Sequence, residues 1–361
     1  MAGAGSRWIV SRRFDLAILA IPFVGSLLSL LALGSAGPAL PLWAFLVIIV
    51  SADVAHVWAT TYVTYFDREN FRQRRLLFLL PIPLSFLISY RLHSHSPELF
   101  WSLLAYVAIF HFIKQQWGFI ALYKARTQEA RRLDYYLDKW TLWIGALGPV
   151  LLWHASPTRQ FDWFNAGESF IASVPQSLRP DIIAVCIFFA LVWSARQLQH
   201  VLAGRELNVG KTLWMVFSWI SWWVGISLAD HPLISAAFLN LFHGIPFMAL
   251  VWYRCNRKWQ GRSCEGSRLV AWLSQRRNWV YFVLLIIGIA ALEETLWDGM
   301  VWRVYLPSLI GAESSALQAS AMSFWVALLS VPQIVHYYLD AWIWKLDGSN
   351  ADLAVLLELK R

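Results

Sequence analysis

The sequence predicts an all-α, polytopic integral membrane protein, and three observations support this fold class. Of the 361 residues, 58% are hydrophobic and only 14% are charged, whereas soluble domains average about 45–50% and 25%. Apolar runs of about 20 residues, the length of a helix that crosses a bilayer, recur along the chain. The sequence lacks the alternation that is typical of a membrane β-barrel. Helices are therefore the expected way to satisfy backbone hydrogen bonds in lipid.

Ten transmembrane helices are predicted from these runs. The polar segments between them are too short to fold separately, so we expect a single membrane domain over residues 1–361. The first run is too long for the apolar part of a signal peptide and no A-x-A cleavage site follows it, so we expect it to be retained. The predicted spans are 14–33, 41–66, 76–91, 98–123, 139–155, 181–201, 211–229, 233–253, 278–297 and 319–344.

The basic residues predict the orientation of the chain. With a cytoplasmic N-terminus, the inner segments hold 25 of the 30 Lys and Arg residues, the outer loops hold four, and Lys114 lies within a span. By the positive-inside rule, both termini are cytoplasmic. We expect a bacterial-type inner (plasma) membrane. The net charge of +8 then faces anionic lipid of the inner leaflet, and no nucleic-acid partner is needed to explain it.

Smaller features lead to further expectations. The outer segments 156–180 and 298–318 are predicted to form re-entrant or interfacial caps, and residues 353–359 a short amphipathic helix against the inner face. The three cysteines have neither metal-binding nor disulfide-framework spacing, so we expect reduced thiols. His93, His95 and His231 fall in predicted outer loops.

Four histidines lie inside the predicted spans 2, 4, 8 and 10: His56, His111, His243 and His336. All four spans run from outside to inside, and each histidine lies 9 to 13 residues before the first basic residue of the cytoplasmic side. Their depths therefore differ by only about 6 Å at 1.5 Å per residue. One intramembrane imidazole can simply hydrogen-bond a neighbouring helix. Four imidazoles at one depth predict a shared metal site in the bundle.

Two carboxylates accompany these histidines. Asp53 is three residues before His56, and Asp340 is four residues after His336, so each shares a helix face with its histidine. Either carboxylate is expected to be a metal ligand or to orient the neighbouring imidazole. The sequence leaves these two roles open.

Lys114 and Tyr337 are further candidates for a catalytic role. Lys114 follows His111 by one turn, and we expect it to be buried with Asp53 as its partner, because an intramembrane ammonium needs a counter-charge. Tyr337 follows His336 directly. His200 lies at the cytoplasmic end of span 6, and the sequence does not decide whether it joins the site.

Iron is the metal that this set of residues favours, with one or two ions, because four histidines with carboxylates suit oxygen-activating iron. Zinc and copper also bind imidazole. The arrangement of one histidine per helix resembles the bacterial Brp/Blh-type β-carotene dioxygenases, polytopic enzymes that hold non-haem iron with histidines from different spans. The resemblance covers the architecture and implies iron and an apolar substrate. No residue role is carried over from that family.

Two classes of function follow. In the first, a membrane-bound iron enzyme oxidises a lipid-soluble substrate by hydroxylation, desaturation or oxidative cleavage, with electrons from an unidentified donor. In the second, the same His, Asp and Lys residues form the relay of a proton- or cation-coupled transporter. Two axial histidines of a haem protein are a third interpretation. For the enzyme we expect a lateral, lipid-facing entrance or an apolar cavity beside His336, with Tyr337, Trp342 and Trp344 as wall residues.

Overall fold

The computed structural model describes residues 7–34, 41–156, 173–229, 231–260, 268–305, 319–345, 350 and 353–357, and all regular secondary structure in these ranges is helical. We label ten long helices in chain order. They are α1 (Arg12–Leu33), α2 (Leu42–Val63), α3 (Arg68–His95), α4 (Pro97–Thr127), α5 (Arg132–His154), α6 (Gln176–Leu202), α7 (209–228), α8 (Pro232–Trp259), α9 (Arg276–Trp302) and α10 (Ala319–Ile343).

Seven helices in the described ranges are long and apolar enough to cross a membrane, namely α1, α2, α3, α6, α8, α9 and the Ser320–Ile343 part of α10. This confirms the all-helical, multi-pass membrane class. Helices α4, α5 and α7 lie where the other three spans were predicted, but they are not among the seven.

One detail of the prediction changes. His93 and His95 belong to α3 and not to an outer loop, because the helix continues to His95. The imidazole of His93 is buried and its Nδ1 lies 2.9 Å from the hydroxyl oxygen of Ser323 in α10. The expected outer caps fall mostly outside the described residues, at 157–172 and 306–318.

Local sequence explains where several helices begin. Ser11, Asp67, Ser96 and Asn208 each accept a hydrogen bond from the backbone N–H three residues later, and so cap α1, α3, α4 and α7. Pro97 occupies the first helical position of α4, where its fixed φ fits and its missing N–H has no helical partner in any case.

Four helices contain π-helical turns, in which the chain takes one extra residue per turn. They are Phe45–Val54 in α2, Trp223–Leu228 in α7, Ala237–Leu241 in α8 and Asp298–Trp302 in α9. π-helical turns are rare in proteins as a whole, but those that occur are often found near functional sites. The turns in α2 and α8 end within two residues of His56 and His243.

The C-terminal segment packs on the bundle. The short helix Leu353–Leu356 buries Leu353 and Leu357 in the same apolar cluster as Phe119 of α4. Arg126 donates a hydrogen bond from Nη1 to the carbonyl oxygen of Leu357 (3.3 Å). The predicted helix at 353–359 is therefore present over its described part.

A buried, charge-balanced cluster joins α4, α5 and α7 near their basic ends. Lys124 Nζ lies 2.5 Å from Asp138 Oδ2, and Lys211 Nζ lies 2.7 Å from Glu129 Oε2 and 3.2 Å from Asp138 Oδ2. Trp193 of α6 donates its indole N–H to the other Asp138 oxygen (2.8 Å). Two ammonium groups thus face two carboxylates, so the cluster carries no net charge.

Glu129, in the loop between α4 and α5, shows the effect of this cluster. Burial favours its protonated form, but Lys211 and Lys124 outweigh burial and hold the pKa of the carboxyl below its ordinary value of 4.5. A depressed carboxyl pKa stabilises the folded state above the unfolded pKa. This contribution is lost as pH falls through the folded pKa.

We expect Asp138→Asn to destabilise the protein strongly, because it leaves two buried ammonium groups with one carboxylate. Breaking a buried ion pair from one side costs about 3–5 kcal/mol. Thermal unfolding in detergent should show a large loss of Tm, whereas Asp181→Asn, at an exposed site in the first turn of α6, should change it little. Equal Tm values for the two variants would contradict a stabilising role of the cluster.

Candidate metal centre

The four intramembrane histidines meet in the interior of the bundle. Their ring centroids are 4.5 Å apart for His56 and His243, 4.8 Å for His56 and His336, 4.9 Å for His111 and His336, and 5.1 Å for His111 and His243. His243 and His336 are 6.5 Å apart. All four side chains are at least nine-tenths buried. Four helices therefore converge on one small volume with one imidazole each.

A glycine allows two of these helices to approach. A Cβ on Gly244 of α8 would overlap the carbonyl oxygen of Ala52 in α2 and would lie 3.4 Å from Cβ of His56. Backbone therefore packs directly on backbone at this crossing. Gly244 is the next residue after His243, so this contact fixes the separation of His56 and His243.

Hydrogen bonds orient two of the rings. His56 Nδ1 lies 3.1 Å from the Ala52 carbonyl oxygen, which can only accept, so His56 donates from Nδ1 and its Nε2 carries a lone pair. With a proton on Nδ1, His336 donates to the Thr60 hydroxyl oxygen at 2.8 Å. The sequence suggested that carboxylates orient the imidazoles. In the structure, a carbonyl and a hydroxyl on α2 have this orienting role.

Several ring nitrogens of these histidines have no hydrogen-bond partner among the described residues. They include His111 Nε2, His336 Nε2 and His243 Nδ1, together with Oδ1 of Asp340. Buried polar atoms in proteins are nearly always paired, so several unpaired atoms in one place need an explanation. A bound cation would satisfy them, because lone pairs of neutral imidazoles and carboxylates are the donors that a transition metal takes.

One distance fits both a hydrogen bond and metal coordination. His243 Nε2 and His56 Nε2 are 3.0 Å apart. If His243 carries its proton on Nε2, this is an N–H···N hydrogen bond. Two imidazole nitrogens that bind one ion at about 90°, with bonds of about 2.1 Å, are also about 3.0 Å apart. The exchange of that proton for a cation needs little movement.

Two overlapping groups of atoms have the spacing for an ion. One consists of His56, His243 and His336, and the other of His111, His336 and Asp340. In each group the three ligand atoms lie within 4.8 Å of one another. Asp340 Oδ2 is 3.7 Å from His111 Nε2, and its Oδ1 is 3.7 Å from His336 Nδ1. Because His336 belongs to both groups and a neutral imidazole has one lone pair, the two groups are alternative sites for one ion.

Aromatic side chains surround the histidines. Phe112 stacks on His243 with ring centroids 3.9 Å apart, and Phe247 contacts His336 at 5.3 Å. The ring of Tyr337 is 4.4 Å from His111, and Gln333 donates from Nε2 to the Tyr337 hydroxyl at 2.5 Å. Tyr337 is thus placed beside the histidines as expected. Of the other expected wall residues, Trp344 contacts Phe247 at 5.9 Å, and Trp342 is at the exposed surface.

Asp53 is adjacent to the histidines but belongs to neither ligand group. Its Oδ1 lies 3.9 Å from His56 Nδ1, which is too long for a hydrogen bond. Asp53 interacts electrostatically with Glu293 of α9. The structure therefore places it behind His56, with the second candidate carboxylate, Asp340, on the ligand side.

Lys114 does not join the site, and the expectation of a buried lysine paired with Asp53 is wrong. The side chain is exposed on the outside of α4. His111 lies about 60° around the helix from Lys114, because three residues turn the chain by about 300°. His200 is also elsewhere, since it pairs with Asp134 at 3.2 Å and its Nδ1 lies 3.1 Å from Nη1 of Arg205.

Glu293 and Glu294 are buried acidic residues that the sequence analysis did not select. Glu293 accepts hydrogen bonds from the indole N–H groups of Trp58 (2.5 Å) and Trp297 (3.4 Å). The signal was visible, because two adjacent carboxylates inside the apolar run of α9 are costly in a membrane. Their helix, α9, carries no histidine, so the spacing of the histidines gives no indication of them.

Comparison with protein-family models, curated proteins and solved structures finds no match to this chain. The resemblance to Brp/Blh-type dioxygenases is untested by these comparisons. It depends only on the arrangement of one histidine per helix.

We expect Gly244→Ala to disrupt the candidate site, because the added methyl group would collide with the Ala52 carbonyl and separate α2 from α8. Gly288→Ala in α9 is a matched control, since nothing lies within 4 Å of the position of its Cβ. Metal content and Tm of purified protein should fall for Gly244→Ala and remain near wild type for Gly288→Ala. Unchanged values for Gly244→Ala would show that this close contact is not needed.

Proposed function

We propose that the protein is a membrane-embedded, metal-dependent oxidoreductase with non-haem iron, acting on a lipid-soluble substrate by hydroxylation, desaturation or oxidative cleavage. One observation supports this most directly. Four imidazoles from four helices meet in the bundle interior, where at least three of their nitrogens and an oxygen of Asp340 have no other partner.

The donor set favours a transition metal over a hard cation. Imidazole suits iron, zinc and copper, whereas magnesium and calcium prefer oxygen ligands. A mixed site of histidines and one carboxylate suits iron that activates oxygen, which is the chemistry such an ion supplies when bound. His56, His111, His243, His336 and Asp340 would hold it.

The remaining residues have supporting roles in this proposal. The Ala52 carbonyl and Thr60 hold His56 and His336 with one nitrogen directed inward, and Phe112 and Phe247 exclude water beside the rings. The Tyr337 hydroxyl, which accepts a hydrogen bond from Gln333, is a neutral proton donor on a ring beside His111. Oxygen chemistry of this type consumes electrons. The protein therefore needs an electron donor unless the substrate supplies all of these electrons.

We expect purified wild-type protein to contain iron and a variant with both His111→Ala and His336→Ala to lose it, because these substitutions remove ligands from both groups of atoms. His95→Ala, an exposed histidine of α3, is the matched control and should retain the metal. Elemental analysis measures the outcome, and electron paramagnetic resonance and the absence of a Soret band distinguish non-haem iron from haem. Equal metal content in all three proteins would remove the proposal and favour a histidine relay for transported cations.

We propose a topology of ten spans with both termini in the cytoplasm of a bacterial-type inner membrane, supported by the 25-to-4 distribution of basic residues. A green fluorescent protein fused after Arg361 should be fluorescent, since it folds on the cytoplasmic side. Alkaline phosphatase fused at the same place should be inactive, and one fused after Arg179 should be active. The reverse pattern would contradict this orientation.

A further inference from the structure

The exposed face of α4 is an apolar stripe with a single charge. Leu103, Val107 and Phe110 are 38–55% exposed, and Lys114 is also exposed. These residues follow one another at spacings of four, three and four, so they form one line along the helix. The stripe has the composition of a surface that faces acyl chains. Lys114 is the exception.

Lys114 has no carboxylate partner among the described residues, and in the proposed topology of ten spans it lies well inside the bilayer. Neither an ion pair nor a hydrogen bond joins it to another residue of the ranges given above. The first basic residue at the cytoplasmic end of α4 is Lys124, ten residues or about 15 Å further along the helix. The four-carbon stem of a lysine is much shorter than this distance. An ammonium at such depth is costly unless an anion accompanies it.

The stripe contains free space beside this charge. Gly118, one turn after Lys114, is exposed, and nothing lies within 4 Å of the position that its Cβ would occupy. The helix surface is therefore indented next to the ammonium group. His111 lies on the border of the stripe, one turn from Lys114 and about 60° around the helix.

We propose that this stripe binds a lipid with an anionic headgroup, with the headgroup on Lys114 beside Gly118 and the acyl chain along Phe110, Val107 and Leu103. The proposal rests on the proposed function, since it names the substrate class of the same site. Charge complementarity selects the headgroup, and the apolar line selects the chain. The carbons nearest the headgroup then lie on the part of α4 that carries His111 on its buried side.

Native mass spectrometry of the full chain in neutral detergent can count bound lipids one at a time. The anionic probes are oleate and dioleoyl phosphatidate, which distinguish a free carboxylate from a phospholipid. Their neutral counterparts are oleyl alcohol and dioleoyl phosphatidylcholine. We expect the first molecule of at least one anionic probe to bind wild-type protein roughly tenfold more tightly than its counterpart, which corresponds to about 1.4 kcal/mol.

Three variants test the residue assignment. Lys114→Gln should lose the tenfold preference, and Lys114→Arg should keep it because the charge remains. Lys139→Gln removes another partly exposed lysine, in α5, and should leave the preference unchanged. Gly118→Leu should weaken the binding of an anionic probe and of its neutral counterpart alike, because the leucine side chain fills the space at this position.

Several results would overturn the proposal. These are no preference in wild type, a preference that survives Lys114→Gln, and an equal loss in Lys139→Gln, which would indicate a general effect of surface charge. The metal content of Lys114→Gln should equal that of wild type. If the wild-type protein prefers the anionic lipids but contains no metal, the proposed oxidoreductase is refuted and the lipid site stands. If it contains metal but shows no preference among the lipids, the lipid site is refuted and the proposed oxidoreductase stands.

Discussion

The contact of Gly244 with the Ala52 carbonyl is the constraint on which the candidate site depends. Two helices can approach this closely only where one of them has no side chain. The same carbonyl accepts the hydrogen bond from His56, so one peptide group both sets the helix separation and orients an imidazole. Thr60, two turns further along α2, orients His336. Helix α2 therefore positions its own His56 and the histidines of the two neighbouring helices α8 and α10.

The protein separates two kinds of buried polar group. Near the basic ends of α4, α5 and α7, ammonium groups and carboxylates neutralise one another and are fully paired. Around the histidines, the described residues include no lysine or arginine paired with Asp53 or Asp340, and several atoms lack any partner. The first arrangement stabilises a fold, whereas the second leaves lone pairs unpaired, which is the condition that the proposed metal site requires.

Depth was predictable from the sequence, because counting residues to the basic boundary needs only the rise of a helix. That count selected His56, His111, His243 and His336, and the structure brings them together. The direction in which each side chain points around its helix axis was less predictable. Lys114 is one turn from His111 and yet lies outside the bundle, because a 60° difference on a helix separates interior from surface. Glu293 and Glu294 lay on a helix without histidine, and a pattern based on one residue type could not include them. Thr60 could not be found as an orienting group without knowledge of which helices touch, whereas the Ala52 carbonyl lies one turn before His56 on the same helix.

The π-helical turns before His56 and His243 have a consequence for how the site tolerates changes in chain length. A residue added to or removed from a helix rotates everything beyond it by about 100°, and a π turn is the form in which a helix absorbs one extra residue locally. A π turn therefore protects the direction of the imidazole beyond it. A deletion of a single codon in the segment encoding residues 45–54 can be absorbed when a π turn returns to α-helix, and His56 then keeps its direction toward the other histidines. The same deletion in an α-helical stretch would turn every residue beyond it by about 100°. The arrangement of the four histidines is thus least sensitive to chain length where these helices carry π turns.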